Sequence, residues 1–176
     1  MSKHKKESYN LSSIKSIFCR KAFLDSQILN LSHICKIHGL YLTMAPAAFQ
    51  TIQTHMKDLG RTPKDYDLIV TGDLGQIGKE VLLELGKRNN LNLGGKLTDC
   101  GTLVFDNTVQ DVHAGGSGCG CSAITLCGYL LNQLNDGKLK RILFCGTGAL
   151  LSPTSTQQGL PIPGVCHAVS IITGRD

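Results

Sequence analysis

Residues 111–123, DVHAGGSGCGCSA, crowd one Asp, one His, two Cys and two Ser among glycine and alanine. Three chemistries use such residues. His113, Cys119, Cys121 and Cys127 are possible metal ligands, but Cys119 and Cys121 lie one residue apart, closer than paired zinc ligands usually sit. Backbone amides of GGSGCG, where a helix begins, favour an anion such as a carboxylate. The segment matches neither the phosphate-binding GxxxxGK[ST] pattern nor GxGxxG. A cysteine near a helix start, with His113 close in sequence, also suits a nucleophile. Against all three stands the plain alternative that small residues are needed where backbones pack closely. The residues alone leave these readings open.

The elements that must position this loop are legible around it. Residues 44–60 predict a helix with Pro46 in its first turn and Ala48, Ile52, Met56 and Leu59 on one stripe. DLIVT (67–71) predicts a buried strand. Gly72 and Gly75 turn the chain into a second helix with Ile77, Val81, Leu82 and Leu85 on one face. Residues 89–95 read as a loop, and LVF (103–105) as a strand or a loop that docks. A third helix, 120–134, carries Ala123, Cys127, Leu130, Leu131 and Leu134. RILFCGTG (141–148) and CHAVSIIT (166–173) predict strands, with an unstructured polar loop at 152–164. Alternating helices and short buried strands give an α/β class with a mostly parallel mixed sheet and helices on its faces. Ligands of such sheets collect where strands end in glycine turns.

Hydrophobic residues make up 41% of the 176, enough for one core. No apolar run approaches the roughly 18 residues of a spanning helix, and no export signal is expected. The eight cysteines, at 19, 35, 100, 119, 121, 127, 145 and 166, lack the dense framework of a disulfide scaffold. They are expected as reduced thiols. Charge is uneven. Residues 1–43 hold seven Lys/Arg against two Asp/Glu, and the remainder holds eleven of each. No motif that reads nucleic acid accompanies the basic segment, so no nucleic-acid partner is expected.

The stretches 44–80 (MAPAAFQTIQTHMKDLGRTPKDYDLIVTGDLGQIGKE), 111–123 and 146–171 (GTGALLSPTSTQQGLPIPGVCHAVSI) resemble the stage V sporulation protein AD family of endospore-forming Firmicutes. That family is thiolase-like, with two related halves, and this chain resembles the second half from Met44 to Ile172. The resemblance implies a non-enzymatic protein that binds dipicolinic acid, free or as its calcium chelate. It implies work with other subunits of a channel assembly encoded in the same sporulation operon, and a cytoplasmic or forespore location peripheral to the inner spore membrane. No cofactor and no metal are implied. The nucleophilic Cys of thiolases would lie in the first half. Gly72, with Asp73 beside it, stands where related enzymes keep a His or Asn. Ser117 stands where the His of the His-Pro-Leu-Gly-x-Ser turn would be. Gly146, Thr147 and Gly148 match the glycine turn, and Cys145 falls one position after the acid/base Cys. The ligand-binding residues expected on this basis are His113, Ser117, Cys119, Cys145 and Thr147. A thiolase-type acyltransferase and a non-functional gene fragment are the alternatives.

Two segments are expected: an atypical basic segment, 1–43, and a C-terminal thiolase-like half-domain, 44–176. The first lacks clean periodicity and reads as frameshifted, disordered or fused, although HGLYL could pair as a makeshift central strand. A half-domain of this kind exposes the face its other half covers, which favours a homodimer.

Overall fold

The structure is a computed structural model and describes residues 14–23, 41–106, 108–112, 115, 118–149, 152–160 and 163–174. Five strands form one mixed sheet: β1 (Ile14–Phe23), β2 (Leu68–Thr71), β3 (Leu97–Asp99), β4 (Arg141–Ala149) and β5 (Gly164–Thr173), in the order β1-β5-β4-β2-β3. β2 runs parallel to both β3 and β4, while β5 is antiparallel to β4 and to β1. The parallel part brings the carboxyl ends of β2, β3 and β4 to one rim. Helices cover both faces, so the α/β class expected from the sequence is what forms.

On one face lie α1 (Tyr41–Leu59) and α2 (Gly75–Arg88). Met44, Ala48, Ile52 and Met56 of α1 are buried against Ile69, Leu143, Cys145, Cys166 and Ala168 of the sheet. Alanines keep that helix close, and Thr51 donates to the Cys166 carbonyl at 3.3 Å. The helix starts three residues before Met44, so Tyr41 and Leu42 of HGLYL are helical, while its first three residues, expected as part of a makeshift strand, lie outside the described residues. At its end, buried His55 meets the Tyr66 hydroxyl at 2.6 Å, and Arg61 donates to that hydroxyl at 3.0 Å. The opposite face carries α4, which runs through Cys121–Thr125, a π turn at Leu126–Leu130 and Leu131–Asn135. Its Leu130 and Leu134 pack on Val70, Ile142 and Ile171.

Several expectations change. α2 buries Gly75, Gly78, Leu82 and Gly86, while Ile77 is 44% exposed. Leu82 is buried and Val81 packs against the core as expected, and glycines share that face: a β-carbon on Gly86 would sit 2.6 Å from the Leu91 carbonyl oxygen. In α4, Ala123 and Cys127 are exposed. The π turn adds a residue to one turn and rotates the face that meets the sheet. LVF is neither strand nor docked loop: Leu97–Asp99 forms the strand, and Cys100–Val104 is a short helix, α3. The 152–164 loop contains a helical turn, α5 (Pro153–Gln157). Within 1–43, residues 14–23 form the sheet's edge strand, paired with β5 through Ile17 opposite Ile171 and Cys19 opposite Val169. A backbone ladder asks for no side-chain period, which is why the sequence did not announce it.

Candidate functional site

The rim where β2, β3 and β4 end is organised by a residue that the sequence reading passed over. Asp99 ends β3 and is fully buried. One of its oxygens accepts from the Thr71 hydroxyl at 2.6 Å and the Leu74 amide at 2.8 Å. The other accepts from the Gly75 and Gly101 amides, both at 2.9 Å. One carboxylate thus caps the starts of α2 and α3 together. Burial pushes its pKa up, and the four donors pull it back without cancelling the rise. An Asp just before a Cys-Gly pair is an N-cap signal, but only the sheet shows that it also reaches across to α2.

Asp73 follows β2 at the same rim and is half-buried. Its amide donates to the Thr147 hydroxyl at 3.0 Å, tying the end of β2 to β4. Gly72 permits this approach. A β-carbon there would lie 3.0 Å from the Thr147 nitrogen, 3.2 Å from its hydroxyl and 3.4 Å from the Ser122 β-carbon. The Asp73 carboxylate accepts from the Gly118 amide at 3.3 Å, so it reaches the glycine loop at 111–120. Gly115 sits in the same place for a backbone reason: its φ is +119°, and a β-carbon would press on the Gly101 carbonyl at 3.3 Å. Gly115 is therefore seated against the starts of α2 and α3, its β-carbon position lying 3.5 Å from the Gly75 α-carbon.

The thiols divide sharply. Cys121 opens α4, where a helix start would ordinarily lower a thiol's pKa. Here burial raises it, and the carboxylates of Asp73 and Asp99 add to the rise. Cys100, buried beside Asp99, is pushed up to about 12, by burial first and then by that carboxylate. Neither is an activated nucleophile. No group of three or more His, Cys, Asp or Glu able to hold a metal occurs among the described residues.

Of the five residues expected to bind ligand, the structure brings Cys119 and Thr147 to this rim's neighbourhood. Cys119 is exposed, one residue beyond Gly118, and Thr147 is engaged with Asp73. Cys145 is elsewhere: it is fully buried under α1, on the core side of β4. Its hydrogen bond with Cys166, then burial, hold its thiol pKa well above the ordinary value. A strand's alternation explains the placement, because Cys145 shares Leu143's face and both pack into the α1 cluster. His113 and Ser117 lie outside the described residues. Asp73 and Gly118 were not among the five. The Asp beside Gly72 was the available signal.

Comparisons with known proteins give the family. The family model of stage V sporulation protein AD matches residues 35–172. A Bacillus subtilis (strain 168) protein, "Stage V sporulation protein AD", is 48% identical over 126 residues, 72% of this chain. The chain belongs to the stage V sporulation protein AD family. It spans 37% of that relative's length. The match opens at residue 35, before the Met44 at which the resemblance was expected to begin. Among solved structures, 3-oxoacyl-[acyl-carrier-protein] synthase III from Aquifex aeolicus VF5 is similar at a TM-score of 0.43 and 13% identity, over 76% of this chain and 40% of that one. An overlay that loose carries no argument.

Proposed function

We propose that this chain is a non-enzymatic, ligand-binding part of a sporulation protein, and that its ligand is dipicolinic acid, free or as its calcium chelate. Membership in the stage V sporulation protein AD family supports the setting. The observation that carries the non-catalytic reading is the state of the thiols. Cys121, the thiol at the start of α4, is held protonated by burial and by Asp73 and Asp99. Acyl transfer needs a thiol that is easily ionised and a base beside it. Gly72 has no side chain to serve as that base, and its backbone contacts leave no room for one.

The ligand would sit where the glycine loop meets the ends of β2 and β4, near Cys119 and Thr147, with His113 and Ser117 from the same loop. Cys145 would act only from beneath, as packing. In this reading the protein works with other channel subunits from the same operon, at the inner spore membrane and peripheral to it. No helix among the described residues is long and apolar enough to cross a membrane.

The test is an amide NMR spectrum of the purified chain titrated with dipicolinate. Saturable shifts at Gly115, Gly118, Cys119 and Thr147 are expected. Dispersed peaks that do not move would refute the ligand assignment. Turnover of an acyl-CoA would refute the non-enzymatic one.

A further inference from the structure

Residues 44–176 carry as many bases as acids, yet the fold separates them. β2, β3 and β4 all start at one end of the sheet and finish at the rim described above. α2 starts at that rim under Asp99 and finishes at Arg88, ahead of β3; α1 also finishes at the strand-start end, ahead of β2. That end collects residues 57–58, 61–67, 84–88, 96 and 136–141, with nine Lys/Arg against five Asp/Glu, a formal excess of four positive charges. The rim end holds Lys79 against Asp73, Glu80, Asp99, Asp106 and Asp111, an equal excess of negative charge.

The turns of the positive end are tied into one face. Asp67 accepts from the Lys140 and Arg141 amides at 2.7 and 2.9 Å, and the Lys96 and Lys140 side chains act on its charge. The Arg141 guanidinium donates to the Asp65 carbonyl at 3.3 Å. Lys64, Lys138 and Lys140 are exposed on this face. β1 opens here too: Ile14 pairs with Thr173, whose amide donates to the Lys140 carbonyl at 2.9 Å. The basic segment that precedes Ile14 therefore joins the fold at the same end.

We propose that this basic end is a docking surface for a membrane of anionic lipid, and that docking turns the rim with the candidate ligand site away from the bilayer. Charge complementarity carries it: the surface attracts one end of the molecule and repels the other, which fixes the orientation. Lysines on exposed turns reach distributed headgroups without needing a groove. Nucleic acid suits the face less well. Five acids interrupt any continuous track for a phosphate backbone, and its one aromatic, Tyr66, is buried and unable to stack on a base. The inference gives a face to the peripheral membrane location proposed above, and rests on that location but not on the ligand.

The test is co-sedimentation of the full chain, without dipicolinate, with vesicles of phosphatidylcholine alone or with phosphatidylglycerol added. Binding is expected only to the anionic vesicles and should fade as salt is raised. Each base brought to such a surface strengthens binding about fivefold, so Lys64→Gln, Lys138→Gln and Lys140→Gln together should weaken it on the order of a hundredfold. Lys64→Arg, Lys138→Arg and Lys140→Arg keep the charge and should bind as wild type does. Glu80→Gln with Asp106→Asn removes two acids from the rim end and should leave binding unchanged. No binding by wild type, undiminished binding by the Gln variant, or equal loss in the Gln and Arg variants overturns the proposal. Stronger binding by the rim variant overturns the orientation. Tighter retention of a DNA duplex than of vesicles, lost in the Gln variant, makes nucleic acid the partner and overturns it as well. A failure here leaves the dipicolinate titration to decide the ligand by itself.

Discussion

Replacing Asp99 should do more damage than any other single change at the rim. The side chain is fully buried and accepts four hydrogen bonds, three from backbone amides and one from Thr71. Asp99→Ala strands all four donors. Loss of a helix cap costs about 0.5–2 kcal/mol, and two helix starts are affected. Buried donors left without partners cost about 1–3 kcal/mol each, although water entering the new space recovers part of this. The expected loss is about 4 kcal/mol, a large share of the roughly 5–15 kcal/mol that holds a domain folded. Asp99→Asn keeps one oxygen for two of the donors but turns an NH2 group on the other two, and should lose about 2–3 kcal/mol. Thr71→Val removes one donor, leaves the three amides satisfied, and should lose about 1 kcal/mol. Urea denaturation at neutral pH, followed by circular dichroism, ranks the three. If Asp99→Ala costs no more than Thr71→Val, the carboxylate does not hold the two helices, and the account of the rim is wrong.

Gly72→Ala places a β-carbon 3.0 Å from the Thr147 nitrogen and should cost about 1–3 kcal/mol by urea denaturation, with larger NMR shifts at Asp73 and Thr147 than in α1. Brief maleimide labelling of the native protein, read by peptide mass spectrometry, should modify exposed Cys119 and Cys127 and spare Cys100, Cys145 and Cys166; rapid labelling of Cys145 would contradict its burial under α1. At Asp67, burial pushes the carboxyl pKa up, but hydrogen bonds from the Arg141 and Lys140 amides outweigh it and hold the value below 3.8. Its stabilisation is therefore present above about pH 3.8 and lost as pH falls through the lower folded-state value. The stability gap between wild type and Asp67→Asn should shrink on acidification through that window, and a gap that does not change with pH would refute the assignment.

The sequence by itself determined the elements whose apolar residues recur at a fixed period. The α1 stripe of Ala48, Ile52 and Met56 and the strands at Leu68–Thr71 and Arg141–Ala149 were legible because burial there acts on large side chains of the same segment. The family resemblance was legible too, in stretches whose residues stand together in the chain. Only the tertiary structure decided the rest. The inner face of α2 sets three glycines beside Leu82; glycine has no hydropathy to show, and Gly86 is required by the Leu91 backbone rather than by its own helix. The π turn in α4 sends Cys127 outward by rotating a face that a 3.6-residue period had placed inward. Cys145 and Thr147 are two residues apart on one strand, yet one lies in the core and the other holds Asp73, because β2 ends opposite Cys145 and Thr147 lies beyond that end, where the chain turns at Asp73. Asp99 binds Leu74 and Gly75 from 25 and 24 residues away, and Gly118 reaches Asp73 across 45. Such pairings depend on which strand ends share a rim, and sheet order sets that through long-range pairing rather than through any local pattern.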